Sequence, residues 1–278
     1  MKTRKKCTAI KALLLLALCC IGSLAWAAQV VGTVANLSGA LMARKGDGSL
    51  KILALKSEVE QGDTLVAEKN SYALIKFIDN SEITLKPGTT FKIEEFAYDA
   101  AKPEADSASF SLIKGGLRSL TGLLGKRNKE KFALKTPSAT IGIRGTIFIV
   151  EWVEPDATAL AALHAWRHAS TASLGAAGLD GVVPLQLAQL APSPGKPAAL
   201  APGLYVQVID GLINLTNRGG SQNFAAGQFG YTSSPIQPPM LVPSNPGIKF
   251  APPATFLQTP SSNSSSSGKS GTVDCEVR

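Results

Sequence analysis

His164 and His168 are the only histidines of the chain, four residues apart around Trp166 and Arg167. On a helix that spacing puts both imidazoles on one face, the start of a zinc site. A third ligand is needed, and nearby only Asp156 and Asp180 offer an oxygen. No glutamate stands between the histidines to act as a metalloprotease base, so the pair points to no metal. Serine chemistry finds no glycine-flanked nucleophile elbow, and no glycine-rich phosphate loop is present. Glu94-Glu95, Asp99, Glu104 and Asp106 supply carboxylates. Residue type therefore leaves a glycosidase open, although acidic pairs of this kind are ordinarily solvated strand faces. The expectation is a protein that is not an enzyme and uses neither cofactor nor metal. One cluster is basic, Gly125-Lys126-Arg127-Asn128-Lys129. As a loop tip it keeps strand edges apart; as a site, Lys126, Arg127 and Lys129 would meet an anionic polymer or headgroup.

The elements that carry these residues read as strands. Between Val30 and Trp152 short apolar runs alternate with polar residues and are punctuated by turn formers. Ala73, Ile75 and Phe77 share one face of an extended segment, Asp79-Asn80 predicts a two-residue turn, and Ile83 and Leu85 return on the same face. Pro87-Gly88 makes the next corner, after which Phe91 and Ile93 point inward and Lys92 and Glu94 outward. Further strands are expected at 110–114, 117–120, 131–136 and 146–152. The segment 155–202 is rich in Ala, Leu, Gly and Pro; it reads as an insertion, helical over 157–174 and irregular beyond. Strands resume over 203–234, with alternation at Tyr205, Val206, Gln207, Val208 and Ile209 and turns at Asp210-Gly211 and Arg218-Gly219-Gly220; 224–231 adds a last strand. Ile78-Asp79-Asn80 and Ile209-Asp210-Gly211 form a faint internal echo, as stacked hairpins would. From Pro235 the chain turns to Pro and Ser, so 235–278 is expected to be disordered, a spacer or tether.

The first 27 residues read as a secretory leader: Lys2, Arg4, Lys5, Lys6 and Lys11, then an apolar run, then Ala25-Trp26-Ala27, with cleavage between Ala27 and Ala28. The apolar run is short for a membrane span, which needs about 20 residues; an uncleaved anchor is the other reading. Removing the leader lowers the formal charge from +8 to +3. A strong basic face does not survive processing, and nucleic acid is not an expected partner. Three of the four cysteines leave with the leader, so the mature chain keeps Cys275 alone and must be stabilised by a core rather than by a disulfide.

Taken in order, these residues resemble the FecR domain. Gly62-Asp63-Thr64-Leu65 precedes the strand at Ala73, Leu74, Ile75, Lys76 and Phe77, and Asp79-Asn80-Ser81 comes after it. Asn80 stands where that pattern has glycine. Thr136-Pro137-Ser138-Ala139, then Gly142, Arg144, Gly145 and Thr146, resemble the family's Thr-Pro-x-Ala segment running into Arg-Gly-Thr. The resemblance covers 31–154 well and 203–231 more loosely. It implies an all-β, solenoid-like stack of antiparallel strands that makes protein contacts in the periplasm, with a partly helical or irregular insertion. Gly62, Asp63, Asp79, Ser81, Thr136, Pro137, Gly142, Arg144, Gly145 and Thr146 would be its structural or binding residues. Arg144 either satisfies backbone oxygens or an acid within the fold, or receives a partner's carboxylate. Regulators of iron uptake join such a domain to a cytoplasmic anti-sigma segment; here only the short basic leader precedes the apolar run, so the recognition module alone carries over. The expected function is that of an exported, non-catalytic module of the cell envelope, periplasmic or secreted, that binds an envelope protein (an outer-membrane receptor or surface assembly) or a polymer. A structural or surface scaffold is the alternative, and a carbohydrate-active enzyme a third.

Overall fold

A computed structural model describes residues 29–155 and 200–256. The expected leader, most of the insertion with its histidine pair, and Cys275 lie outside the described residues. Two open sheets account for nearly all the regular structure. In the first, β4 (Glu58–Glu60), β1 (Val30–Ser38), β6 (Tyr72–Phe77) and β7 (Glu82–Leu85) lie side by side, followed by the second half of β9 (Ser107–Leu120). It continues through β12 (Ile147–Val153), β13 (Gly203–Asp210), β16 (Phe229–Thr232) and β17 (Met240–Val242). In the second, β3 (Leu50–Leu53), β2 (Leu41–Arg44), β5 (Thr64–Ala67) and β8 (Thr90–Ala97) lead to the first half of β9. Then come β10 (Phe132–Lys135), β11 (Thr140–Ile143), β14 (Leu212–Asn217) and β15 (Gly220–Ala225). The pairing of β9 with β10 is parallel and the rest are antiparallel. The all-β reading stands. This pairing does not establish the solenoid-like repeat that the resemblance implies.

Strand β9 joins the sheets. The two strands expected at 110–114 and 117–120 are one strand that changes sheet at Gly115. There φ is +81°, and a Cβ would fall 2.7 Å from the Thr89 hydroxyl, so only glycine fits. The Thr89 hydroxyl in turn donates to the Gly116 carbonyl at 2.8 Å and accepts from the Gly116 N–H at 3.1 Å, which holds the bend.

The core lies between the sheets. Phe77 of the first meets Phe96 and Phe110 of the second, with ring centroids 5.1 and 5.3 Å apart, and Phe110 continues to Phe91 and Phe132. Each such side chain contributes roughly 1.5–3 kcal/mol by burial. The predicted alternation holds along β6 and through Phe91 and Ile93 of β8. It then breaks at a bulge between Ile93 and Glu95, which leaves Glu94 and Glu95 outside and turns Phe96 inward.

Three more expectations need correction. The β6–β7 turn has three residues: the Phe77 N–H donates to the Ser81 carbonyl at 2.9 Å, and Asn80, at φ +62°, takes the left-handed position. The strand expected at 224–231 is two, β15 and β16, on different sheets. Residues 235–256 are folded rather than disordered. They add β17, then run as a strap over the outer face of the first sheet, where Ile248 packs with Ile149 and Tyr205, and Phe250 and Phe256 edge onto Tyr72. A few apolar anchors suffice because the strap meets a preformed sheet. Strands β12 and β13, which flank 156–199, pair from Ile147↔Asp210 to Val153↔Gly203, so the chain leaves and re-enters at neighbouring positions.

Candidate functional site

Along one side of the molecule the chain turns at four corners that contact one another in series. The first is the β6–β7 turn. Asp79 is buried there, and its Oδ1 accepts from the Ser81 N–H and hydroxyl at 2.9 and 2.6 Å. Its Oδ2 accepts from the Leu124 N–H at 3.2 Å and its carbonyl from the Leu123 N–H at 2.8 Å. Asp79 therefore caps the short helix α1 (Leu123–Arg127), and Gly122 allows the approach, since a Cβ would fall 2.4 Å from Asp79 Oδ2. The second corner, at Thr121, locks to the third. The Thr121 hydroxyl donates to the Thr146 carbonyl at 2.7 Å and accepts from the Thr146 N–H at 3.0 Å. The third, Arg144-Gly145-Thr146, carries the chain from β11 to β12. It meets the fourth, Asp210-Gly211, through the Leu212 carbonyl, which accepts from the Arg144 N–H at 2.9 Å and the Thr146 hydroxyl at 3.3 Å. The two echo segments thus sit in one ladder of corners, but 78–80 turns within the first sheet while 210–211 passes from the first to the second.

The other motif residues fix turns as well. Gly62 and Asp63 close the β4–β5 turn. Asp63 Oδ2 accepts from the Glu60 N–H and pairs with Lys45 Nζ, both at 2.9 Å, and Lys45 also reaches Glu60 at 3.0 Å. Burial alone would depress the Lys45 ammonium, but its bonds to Asp63 and Glu60 together outweigh burial and raise its pKa. Thr136 and Pro137 make the β10–β11 turn, where the Thr136 hydroxyl donates to the Ala139 carbonyl at 2.7 Å and accepts from its N–H at 3.1 Å.

Arg144 differs. Its side chain is exposed and forms neither an ion pair nor a hydrogen bond among the described residues. The reading in which it satisfies an acid or backbone oxygens within the fold is therefore corrected: its backbone turns the corner and its guanidinium faces out. It borders an open groove with Lys129, Glu130, Phe132, Gly142 and Asn214. Gly142 forms part of the floor and holds no side chain over it, and its nearest neighbour, the Asn214 carbonyl, lies 3.9 Å from where a Cβ would stand.

The basic turn divides. Arg127 is committed to the fold: its Nε–H donates to buried Asp106 at 2.7 Å, a terminal N–H donates to the Asp99 carbonyl at 2.6 Å, and the guanidinium lies 4.7 Å from the centre of the Tyr98 ring. Burial pushes the Asp106 carboxyl upward, but the Arg127 guanidinium and the Asp99 N–H prevail and hold it below the usual carboxylate range. Arg127 thus leaves the set offered to an anionic polymer, while Lys126 and Lys129 remain exposed. The carboxylates that left a glycosidase open are also engaged. Glu94 binds Lys135 at 2.6 Å and the Ser109 hydroxyl at 3.0 Å, bonds that hold it low against burial, and Glu95 accepts from Ser107. No group of metal-binding side chains occurs among the described residues. Two members of the ladder, Thr121 and Gly122, were invisible in sequence, because Thr-Gly after a strand reads as an ordinary end.

Residues 63–164 match the family model described as FecR protein, which spans Asp63, Asp79, Thr136 and Arg144. No curated protein matches the chain. Among solved structures, a cell surface anchoring domain is 18% identical, covering 22% of this chain and 82% of that one with a TM-score of 0.22. A candidate anti-sigma factor from Parabacteroides distasonis, in two crystal structures, is 9% and 10% identical with a TM-score of 0.37; the match covers 64% of this chain and 58% of that one.

Proposed function

We propose that this chain, whose residues 63–164 form a FecR-family segment, is an exported, non-catalytic module of the cell envelope that recognises an acidic segment of an envelope protein through the groove at Arg144. The family match supports a signalling-related role without catalysis. The basic and apolar pattern of residues 1–27 supports export to the periplasm or beyond. Arg144 is the observation that carries the reading. A guanidinium is costly to order and is ordinarily matched to an acid or to carbonyls, yet here it stands unmatched over a floor cleared by Gly142. Lys129 beside it adds charge, and the Phe132 ring adds an apolar surface for a peptide.

The test is capture from envelope extracts by the processed chain, wild type against Arg144→Glu. Wild type is expected to retain a saturable protein partner that about 0.5 M salt weakens and that the variant loses by about tenfold or more, as removal of a charge-assisted pair does. Equal capture by the two chains contradicts the assignment. Retention of an anionic polymer but of no protein would replace it with polymer binding at Lys126 and Lys129.

A further inference from the structure

The end of the molecule formed by β3 and β4 is open. Strand β3 pairs with β2 on one side only, and among the described residues no strand covers its other edge. Two large apolar side chains point outward from it, Leu50 at 70% and Ile52 at 79% exposed, and Leu55 in the adjoining loop is 56% exposed. A bare apolar edge is a template for another strand and is normally blunted by charge, proline or a bulge. The opposite end obeys that rule, since β17 is short and set between Pro239 and Pro243.

The chain itself heads for this bare edge. After β17 the strap crosses the outer face of the first sheet, from Tyr205 and Ile149 to Tyr72. There the Asn36 side-chain amide donates to the Thr255 carbonyl at 2.8 Å. Asn36 belongs to β1, and two residues away the Val34 carbonyl accepts from the Lys56 N–H at 2.8 Å, in the loop that carries Leu55. The described chain therefore stops beside the β3–β4 loop. Residues 257–271 are a polar run dominated by Ser, Gly and Asn, and Thr272-Val273-Asp274-Cys275-Glu276-Val277-Arg278 completes the sequence. This last stretch alternates strictly: Val273, Cys275 and Val277 fall on one face of an extended segment, and Asp274, Glu276 and Arg278 on the other. A run as polar as 257–271 spans about 20 Å as a flexible coil, enough to pass the loop and reach β3. Lys51 on β3 and Lys56 beside it match the acids of the alternating stretch in charge.

We infer that residues 272–278 dock on the open edge of β3 in the same chain, adding a tenth strand to the second sheet, with Val273, Cys275 and Val277 beside Leu50 and Ile52. The edge is then covered, and Cys275 lies against apolar neighbours. Main-chain pairing supplies the affinity and the apolar face sets the register.

Cys275 reports on this directly. The rate of its alkylation in the full chain is measured by peptide mass spectrometry, which separates it from Cys7, Cys19 and Cys20. The docked strand predicts labelling at least about tenfold slower than in urea. Ile52→Asp, at an exposed position, is expected to restore the fast rate with the circular dichroism spectrum unchanged, while Leu241→Asp at the opposite end leaves the slow rate in place. Fast labelling of the wild-type chain overturns the inference, and so does protection that survives Ile52→Asp. Protection that grows with protein concentration alongside a dimer-sized species overturns it too, by placing the strand on a second copy.

Discussion

Asp79 and Arg144 belong to the same family signature and stand on the same ladder of corners, yet the structure treats them in opposite ways. Asp79 is buried, and four groups donate to its carboxylate and carbonyl: the Ser81 N–H and hydroxyl, the Leu123 N–H and the Leu124 N–H. Arg144 contributes its backbone to the ladder and leaves its guanidinium outside. The comparison separates two roles that a motif does not distinguish. A signature residue whose bonding capacity is filled within the fold holds a corner, and one whose capacity is unfilled at the surface is available to a partner.

The largest expected effect tests the filled side. Asp79→Ala strands the Ser81 and Leu124 donors in a buried site and should destabilise the fold by about 2–4 kcal/mol, read as a shift of the urea unfolding midpoint. A loss below about 0.5 kcal/mol would mean that the corner is not held by this carboxylate. Next comes Thr121→Val, which removes the reciprocal bonds to Thr146 and should cost about 1–3 kcal/mol in the same assay. Smaller, and dependent on pH, is Asp106→Asn. The folded carboxyl titrates below its unfolded value, near 3.9, so its contribution is present above that pH and is lost as pH falls through the folded value. The variant should therefore be less stable than wild type at neutral pH and equal to it in strong acid; a pH-independent gap would remove Arg127 from the account. Smallest is Arg144→Ala, expected to change stability by less than about 0.5 kcal/mol, because no bond of its side chain is lost.

The strands of the first half were legible in the sequence because alternation and turn residues agree there, as in β6, the Pro87-Gly88 corner and β8 up to Ile93. The features that escaped it depend on partners distant in the chain. Phe96 faces inward only because a bulge opposite Ser109 and Phe110 shifts the register. Gly115 changes the sheet of β9 because Thr89 stands against it. The strap over 243–256 has too few apolar residues to be recognised, and it folds only because Tyr72, Ile149 and Tyr205 are already in place. At the site, the motif marked the positions of the corners but not the fate of each side chain. Arg127 and Arg144 look alike in sequence, and only the nearness of buried Asp106 to one of them decides which is committed.

The most direct measurement pairs two readings on one variant, the urea unfolding midpoint and the capture of the envelope partner by Arg144→Glu. The account predicts a midpoint equal to wild type and capture reduced by about tenfold or more. A lowered midpoint with capture intact would contradict it, because Arg144 would then belong with Asp79 among the residues that hold the fold.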